Sequence, residues 1–181
     1  MPLPAETIYT IQDIYALPDG QRAELIDGVL YDMAPPSRIH QKIVSQLTQI
    51  LGRYISDHQG TCEVYPAPFA VFLHADDQVY VEPDVSVICN KDKLTEQGCE
   101  GAPDLIFEIV SPSSRRMDYS TKMTLYSNAG VREYWIVDPA RERTTVYYFE
   151  EDAAPIIVPF DHPAQVGMYK DLEITISSLL K

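Results

Sequence analysis

No apolar run in this chain approaches the ~18 residues of a membrane-spanning helix, and the N-terminal MPLPAETIYT has no basic region leading into an apolar one. Neither a membrane anchor nor an export leader is signalled. Cys62, Cys89 and Cys99 are odd in number and form no C-x-x-C pair, so neither a disulfide framework nor a zinc knuckle is indicated, and a reducing cytoplasm fits best. His58, His74 and His162 show no metal-ligand spacing. Basic side chains are scarce. Fourteen Lys and Arg face 27 Asp and Glu, a formal charge of −13, which opposes tight non-specific binding to nucleic acid or anionic membrane. Any nucleic-acid role has to be local, transient or metal-bridged. Internal repeats and low-complexity linkers are also missing.

What is present suits one domain over residues 1–181, long enough for a real core and too short for two comfortable ones. Thr10 can cap a short helix over Ile11 to Leu17. Arg22 to Ile26 and Val29 to Met33 flank Asp27-Gly28, the pair that favours a type I′ hairpin. Ser37 can cap a long helix with Ile39, Ile43, Val44, Leu47, Ile50, Leu51, Tyr54 and Ile55 on one face, from inside which His40 projects. Strands follow at Thr61 to Tyr65, Phe69 to His74 and Val79 to Cys89, the last with a break at Pro83. Asn90 to Gly101 reads as a polar connection. VREYWIV and TTVYYF form a hairpin around residues 138–141, and Leu172 to Ile176 adds a short strand before a final turn. The pattern is α/β or α+β, a mixed sheet with two principal helices to cover its faces.

The organising stretch is Asp104 to Lys122, DLIFEIVSPSSRRMDYSTK. Leu105 to Val110 reads as a strand buried on both faces, yet Glu108 sits inside it with Ile106 and Val110 on its own face. A buried carboxylate requires a partner. Arg115 to Ala129 reads as a helix ended by Gly130, and its apolar arc of Tyr119, Met123, Leu125, Tyr126 and Ala129 contains Lys122, with Asp118 one turn earlier. The helix therefore turns a Lys and an Asp toward the strand of Glu108. Asp84, after Pro83, stands near the start of its own strand.

Each of these residues also has a plainer reading. Asp84 suits a turn or a solvent-facing edge, and Glu108 a structural ion pair. Lys122 can pair with Asp118 or run its stem along the core. His40 suits a hydrogen-bonded core position, Glu24 the wet face of a hairpin, and Arg115 and Arg116 a solvated helix flank. Taken together, Asp84 and Glu108 supply hard oxygen ligands for Mg²⁺, with Mn²⁺ as a substitute, and Lys122 can orient water or neutralise charge at a phosphate. Glycosidase chemistry would use two carboxylates but leaves the inward Lys without a task.

Pro83-Asp84, Glu108 in a buried strand and Lys122 resemble the PD-(D/E)XK nucleases with a migrated lysine, the usual lysine position being Val110 here. More specifically the chain is similar to the Uma-two family of restriction-endonuclease-like proteins. The similarity lies in ELIDG (24–28), PPSRIH (35–40), EPDVSVI (82–88), PDLIFEIVSPSS (103–114), DYSTK (118–122) and GVREYWIVDP (130–139). The resemblance implies a restriction-endonuclease-like mixed sheet flanked by helices and a divalent-metal endonuclease acting on DNA. It makes Asp84 and Glu108 metal ligands, Lys122 the catalytic lysine and Glu24 an acidic residue beside the site. His40, Asp118 and Arg115 are accessory candidates. The alternative is an inactive module on the same fold, binding nucleic acid or a protein partner. The small basic set that could hold substrate is Arg38, Lys42, Arg115, Arg116 and Arg132. A two-fold dimer would place two sites on one duplex, though no residue demonstrates one.

Overall fold

The structure is a computed structural model and describes residues 7–151 and 153–181. Thr10 caps the short helix α1 (Ile11–Tyr15), its backbone N–H donating to Asp13 Oδ2 at 2.8 Å. Strands β1 (Ala23–Ile26) and β2 (Val29–Asp32) form the hairpin that Asp27-Gly28 predicts, with φ of 51° and 75° at the two turn residues. The long helix α2 (Arg38–Asp57) starts where Ser37 Oγ accepts from His40 N at 3.2 Å, and its buried stripe is Ile43, Val44, Leu47, Leu51 and Ile55.

Next come β3 (Glu63–Pro66), β4 (Val71–Phe72) and β5 (Val85–Ile88). Pro83 ends regular pairing, so the strand read over Val79 to Cys89 survives only as its second half, with isolated bridges from Tyr80 to Leu25 and from Val81 to Val71. The segment read as a polar connection contains β6 (Leu94–Thr95) and β7 (Gly98–Glu100), which join β4 in a three-stranded sheet. Then follow β8 (Leu105–Ile109), β9 (Glu133–Asp138), β10 (Arg143–Tyr148) and β11 (Ile156–Pro159). A small pair, β12 (Ala164–Gln165) with β13 (Glu173–Ile174), precedes α4 (Ile176–Leu179). β11 and β12 escape sequence reading because neither is long enough to show a period.

Six strands form the main sheet in the order β11-β10-β9-β8-β5-β3. β8 and β9 run parallel, and every other neighbouring pair is antiparallel. A parallel pair needs a crossover, and here it is the helical segment between them. That segment holds a π-helix, Met117–Lys122, continuing directly into α3 (Met123–Ala129), and Gly130 at φ 90° ends it. The helix read over Arg115 to Ala129 is thus present, with one wider turn that 3.6-residue counting does not anticipate.

Alternation along the strands divides the interior. Val85, Val87, Leu105, Phe107, Ile109, Trp135 and Val137 pack with α2 on one face of the sheet. Ile88, Ile106, Val110, Tyr134 and Ile136 pack with Leu125 and Tyr126 on the other. Glu108 shares the second face with Ile106 and Val110, so the crossover helix covers it.

The reading that no disulfide is signalled is corrected: Cys62 is bonded to Cys89. The register pairs Glu63 with Ile88, which sets the two cysteines opposite each other one step further along β3 and β5. Spacing along the chain carries no trace of that contact. Among the described residues no helix is long and apolar enough to cross a membrane.

Gly28 fixes the hairpin that carries Glu24. Beyond its positive φ, a Cβ there would lie 2.7 Å from Ile8 Cγ2. Gly28→Ala is expected to lower the unfolding free energy by about 1–2 kcal/mol in urea titration; equal stability would show that the turn tolerates a side chain.

Candidate active site

A cleft of about 720 Å³ opens where β1, the start of α2, the Pro83-Asp84 segment, the end of β8 and the crossover helix meet. Glu24, His40, Asp84, Glu108, Asp118 and Lys122 all line it. Glu24, Glu108, Asp118 and Lys122 are at most 5% exposed, so none of them is a solvated surface charge. The hairpin Glu does not face water: β1 is buried along its whole length because Leu25 exchanges backbone hydrogen bonds with Tyr80.

Lys122 is the centre of the arrangement. Its Nζ lies 2.8 Å from Glu24 Oε2 and donates to Glu108 Oε1 at 2.9 Å. Tyr126, one turn further along the helix, donates to the same Glu108 oxygen at 2.7 Å. Glu24 Oε1 also accepts from the backbone N–H of Glu82 at 3.0 Å. The anticipated local pair between Asp118 and Lys122 does not form; Asp118 Oδ2 instead accepts from Ser114 Oγ at 2.6 Å, and its buried Oδ1 has no partner.

Asp84 is held from two sides. Its Oδ2 accepts from the backbone N–H of Ile109 at 2.7 Å and lies 3.1 Å from His40 Nε2. His40 reaches it from the first turn of α2, where the Ser37 cap sets the register. Asp84 and Glu108 are therefore alike: Asp84 Oδ2 and Glu108 Oε1 are occupied by protein groups, while Asp84 Oδ1 and Glu108 Oε2 accept no hydrogen bond among the described residues.

Charge is unbalanced here. Glu24, Asp84, Glu108 and Asp118 face the single ammonium of Lys122, since Arg22 on the same wall pairs with Glu82. Burial, reinforced by the neighbouring carboxylates, holds Glu108 well above the usual carboxyl range despite Lys122. Burial alone would lower Lys122, but Glu108, Glu24 and Asp118 outweigh it and keep the ammonium firmly protonated. Burial also pushes Asp118 up to about 6, against the opposing pull of Lys122 and Ser114.

Among the described residues no three His, Cys, Asp or Glu side chains converge into a ready cage for a metal ion. Mg²⁺ does not require one. It keeps several waters and takes one or two carboxylates, a demand that the free oxygens of Asp84 and Glu108 suit chemically.

Arg115 lies outside this group. Its Nε and Nη2 reach the buried Asp138 at 3.3 and 3.4 Å. Sequence reading missed three participants. Tyr126 looked like an apolar member of the helix stripe, and only its hydroxyl betrays a polar task. Glu82 and Tyr80 form a buried pair, Tyr80 Oη donating to Glu82 Oε1 at 2.6 Å, beside a proline that hides the strand.

The fold is that of a restriction-endonuclease-like nuclease. It matches a crystal structure from Anabaena variabilis, described as "a putative nuclease belonging to DUF820", with a TM-score of 0.76 at 18% identity over 94% of this chain and 96% of that one. Residues 11–176 match the Uma2 family, described as "Putative restriction endonuclease", and the chain belongs to that family. Two Synechocystis proteins are also similar. The uncharacterized protein slr1290 is 27% identical, covering 77% of this chain and 73% of its own. The uncharacterized protein sll1609 is 28% identical, covering 65% and 67%.

Asp118 yields a pH test. Its folded-state pKa of about 6 exceeds the ordinary 3.8, so its contribution is complete below 3.8 and is lost as pH rises through about 6. Asp118→Asn removes this titration. The stability of the variant relative to wild type should therefore rise by about 2–3 kcal/mol between roughly pH 4 and pH 7 in urea unfolding. A difference that does not change with pH would contradict the assignment.

Proposed function

We propose that this protein is a Mg²⁺-dependent endonuclease that hydrolyses DNA phosphodiester bonds at the cleft of Asp84, Glu108 and Lys122. The observation that carries the reading is the half-occupied state of the two carboxylates: protein groups clamp one oxygen of each and leave the other open, in a site with excess negative charge. Asp84 and Glu108 are the ligands. A divalent cation held there would polarise the phosphoryl oxygen and lower the pKa of an attacking water.

The chain's own groups do the remaining work. Of the three Lys122 donors, Glu24 and Glu108 occupy two, leaving one N–H for the attacking water or a non-bridging phosphate oxygen. The water oxygen forms a bond to phosphorus as the bond to the leaving oxygen breaks, and the water's proton passes to solvent. Tyr126 and Lys122 fix Glu108, while His40 and the Ile109 amide fix Asp84, so neither carboxylate has to reorganise when substrate arrives. Glu24 positions Lys122.

One observation favours a second reading. Lys122 already neutralises two buried carboxylates, which a purely structural ion network would also do. The readings differ in the response to metal, because a ligand bound only by the folded state must raise its stability. Under the nuclease reading, Mg²⁺ or Mn²⁺ supports nicking of plasmid DNA and EDTA abolishes it. Asp84→Asn and Glu108→Gln, each folded by circular dichroism, should lose roughly 100-fold or more in rate, in line with loss of a preorganised electrostatic group. Undiminished cleavage by folded Glu108→Gln would remove the assigned site, and absence of any metal-induced stabilisation would leave the structural network.

A further inference from the structure

The charge of −13 poses a difficulty that the cleft alone does not resolve, because a polyanionic backbone has to approach a polyanionic protein. The basic set read from sequence is partly withdrawn by the structure. Lys42 Nζ donates to the backbone oxygens of Leu180 and Lys181 at 2.9 and 2.6 Å. Arg132 pairs with Glu150 and Asp104 beside the first residue of β9, about 20 Å along that strand from Asp138 at its end.

Arg38 stays exposed at the first turn of α2, and Arg115 and Arg116 remain beside two arginines that the sequence did not single out, Arg141 and Arg143. Arg115 and Arg116 follow directly on the Ser111–Ser114 wall of the cleft, and Arg141 and Arg143 follow the wall residues Pro139 and Ala140. Arg115 and Arg141 meet at Asp138, which is fully buried at the end of β9. Arg115 reaches its carboxylate through Nε and Nη2, Arg141 through its backbone N–H at 3.2 Å and Nη1 at 3.5 Å, and Tyr119 through its hydroxyl at 3.5 Å. The Arg143 guanidinium carbon stands 6.0 Å from the Tyr119 ring centroid, over its face, and its buried Nε has no partner. Three guanidinium groups, those of Arg115, Arg141 and Arg143, thus gather around Asp138 and Tyr119, with Glu142 lying between two of them in the chain. A buried carboxylate that braces arginines still half-exposed to solvent preorganises them, since each guanidinium offers five donors in a fixed plane and Asp138 occupies only part of them.

We propose that Arg115, Arg141 and Arg143, braced by Asp138 and Tyr119, form a phosphodiester-binding ridge on the rim of the cleft. It holds the backbone of the DNA leading into the site. The ligand class is a nucleic-acid backbone, recognised through phosphate oxygens and not through base edges, so the ridge supplies affinity without sequence preference. This inference rests on the nuclease reading and adds where the substrate lies.

The test is binding of a fluorescein-labelled DNA duplex to the full chain without divalent metal, followed by anisotropy across a salt series. Arg141 is the first target because its side chain is 47% exposed and its removal leaves the fold to Asp138 and Arg115; a thermal melt checks this. Arg141→Ala should weaken binding about 3- to 10-fold at low salt and reduce the log–log salt slope by about 1, with Arg141→Glu weaker again. Arg132→Ala, at the far end of β9, serves as the control and should bind like wild type. Wild-type affinity and slope in both Arg141 variants, or an equal loss in Arg132→Ala, would overturn the ridge while leaving metal-dependent cleavage to be judged on its own. Duplex binding that depends on Arg141 in a protein that never cleaves would uphold the ridge and reject the nuclease reading. No binding by wild type even at low salt overturns the ridge, and the nuclease reading then stands or falls on metal-dependent cleavage.

Discussion

Everything at this site depends on one buried ammonium shared between two buried carboxylates. Lys122 could not sit under the sheet without Glu24 and Glu108, and removing the lysine would leave two buried acidic side chains without their cationic partner. Three distant parts of the chain, the first hairpin, the central strand and the crossover helix, are thereby held at one point. Tyr126 narrows the geometry further by taking the same Glu108 oxygen as Lys122. What is left open on Glu108 is a single oxygen, Oε2, which accepts no hydrogen bond among the described residues.

Parallel pairing of β8 and β9 explains why the lysine arrives on a helix. The chain has to cross the sheet between those strands, and the segment that does so lies over the face carrying Ile106, Glu108 and Val110. Val110 stands on that same face, so Lys122 on the covering helix brings its charge to the region a lysine at position 110 would occupy. The π-turn over Met117–Lys122 widens the helix where Asp118 and Lys122 project. Asp84 is delivered separately, at the entrance to β5, and is locked by an amide of β8 and a histidine of α2.

Sequence reading reached this site because its signals are local. A carboxylate in a short apolar run, a lysine within an apolar helical stripe and a glycine ending that stripe are all visible within about 25 residues, and the Asp27-Gly28 turn announces its hairpin unaided. The missing parts depend on contacts between distant segments. The Cys62–Cys89 bond follows from strand register, the burial of Glu24 from a bridge between Leu25 and Tyr80, and the withdrawal of Lys42 and Arg132 from partners remote in sequence. Tyr126 was visible as a residue but not as a donor, since periodicity registers its ring and is blind to its hydroxyl. The Asp138 hub likewise has no sequence signature, because an Asp-Pro pair after a strand reads first as a turn.

The family and the fold place this chain among restriction-endonuclease-like proteins, and the open oxygens of Asp84 and Glu108 carry the proposal that it binds a divalent metal. The most direct measurement is a crystal of the protein soaked in Mn²⁺ and recorded at the manganese edge. The account predicts an anomalous peak bound by both Asp84 and Glu108, with Lys122 still on Glu24 and Glu108. A peak elsewhere, or none at saturating Mn²⁺, would contradict it.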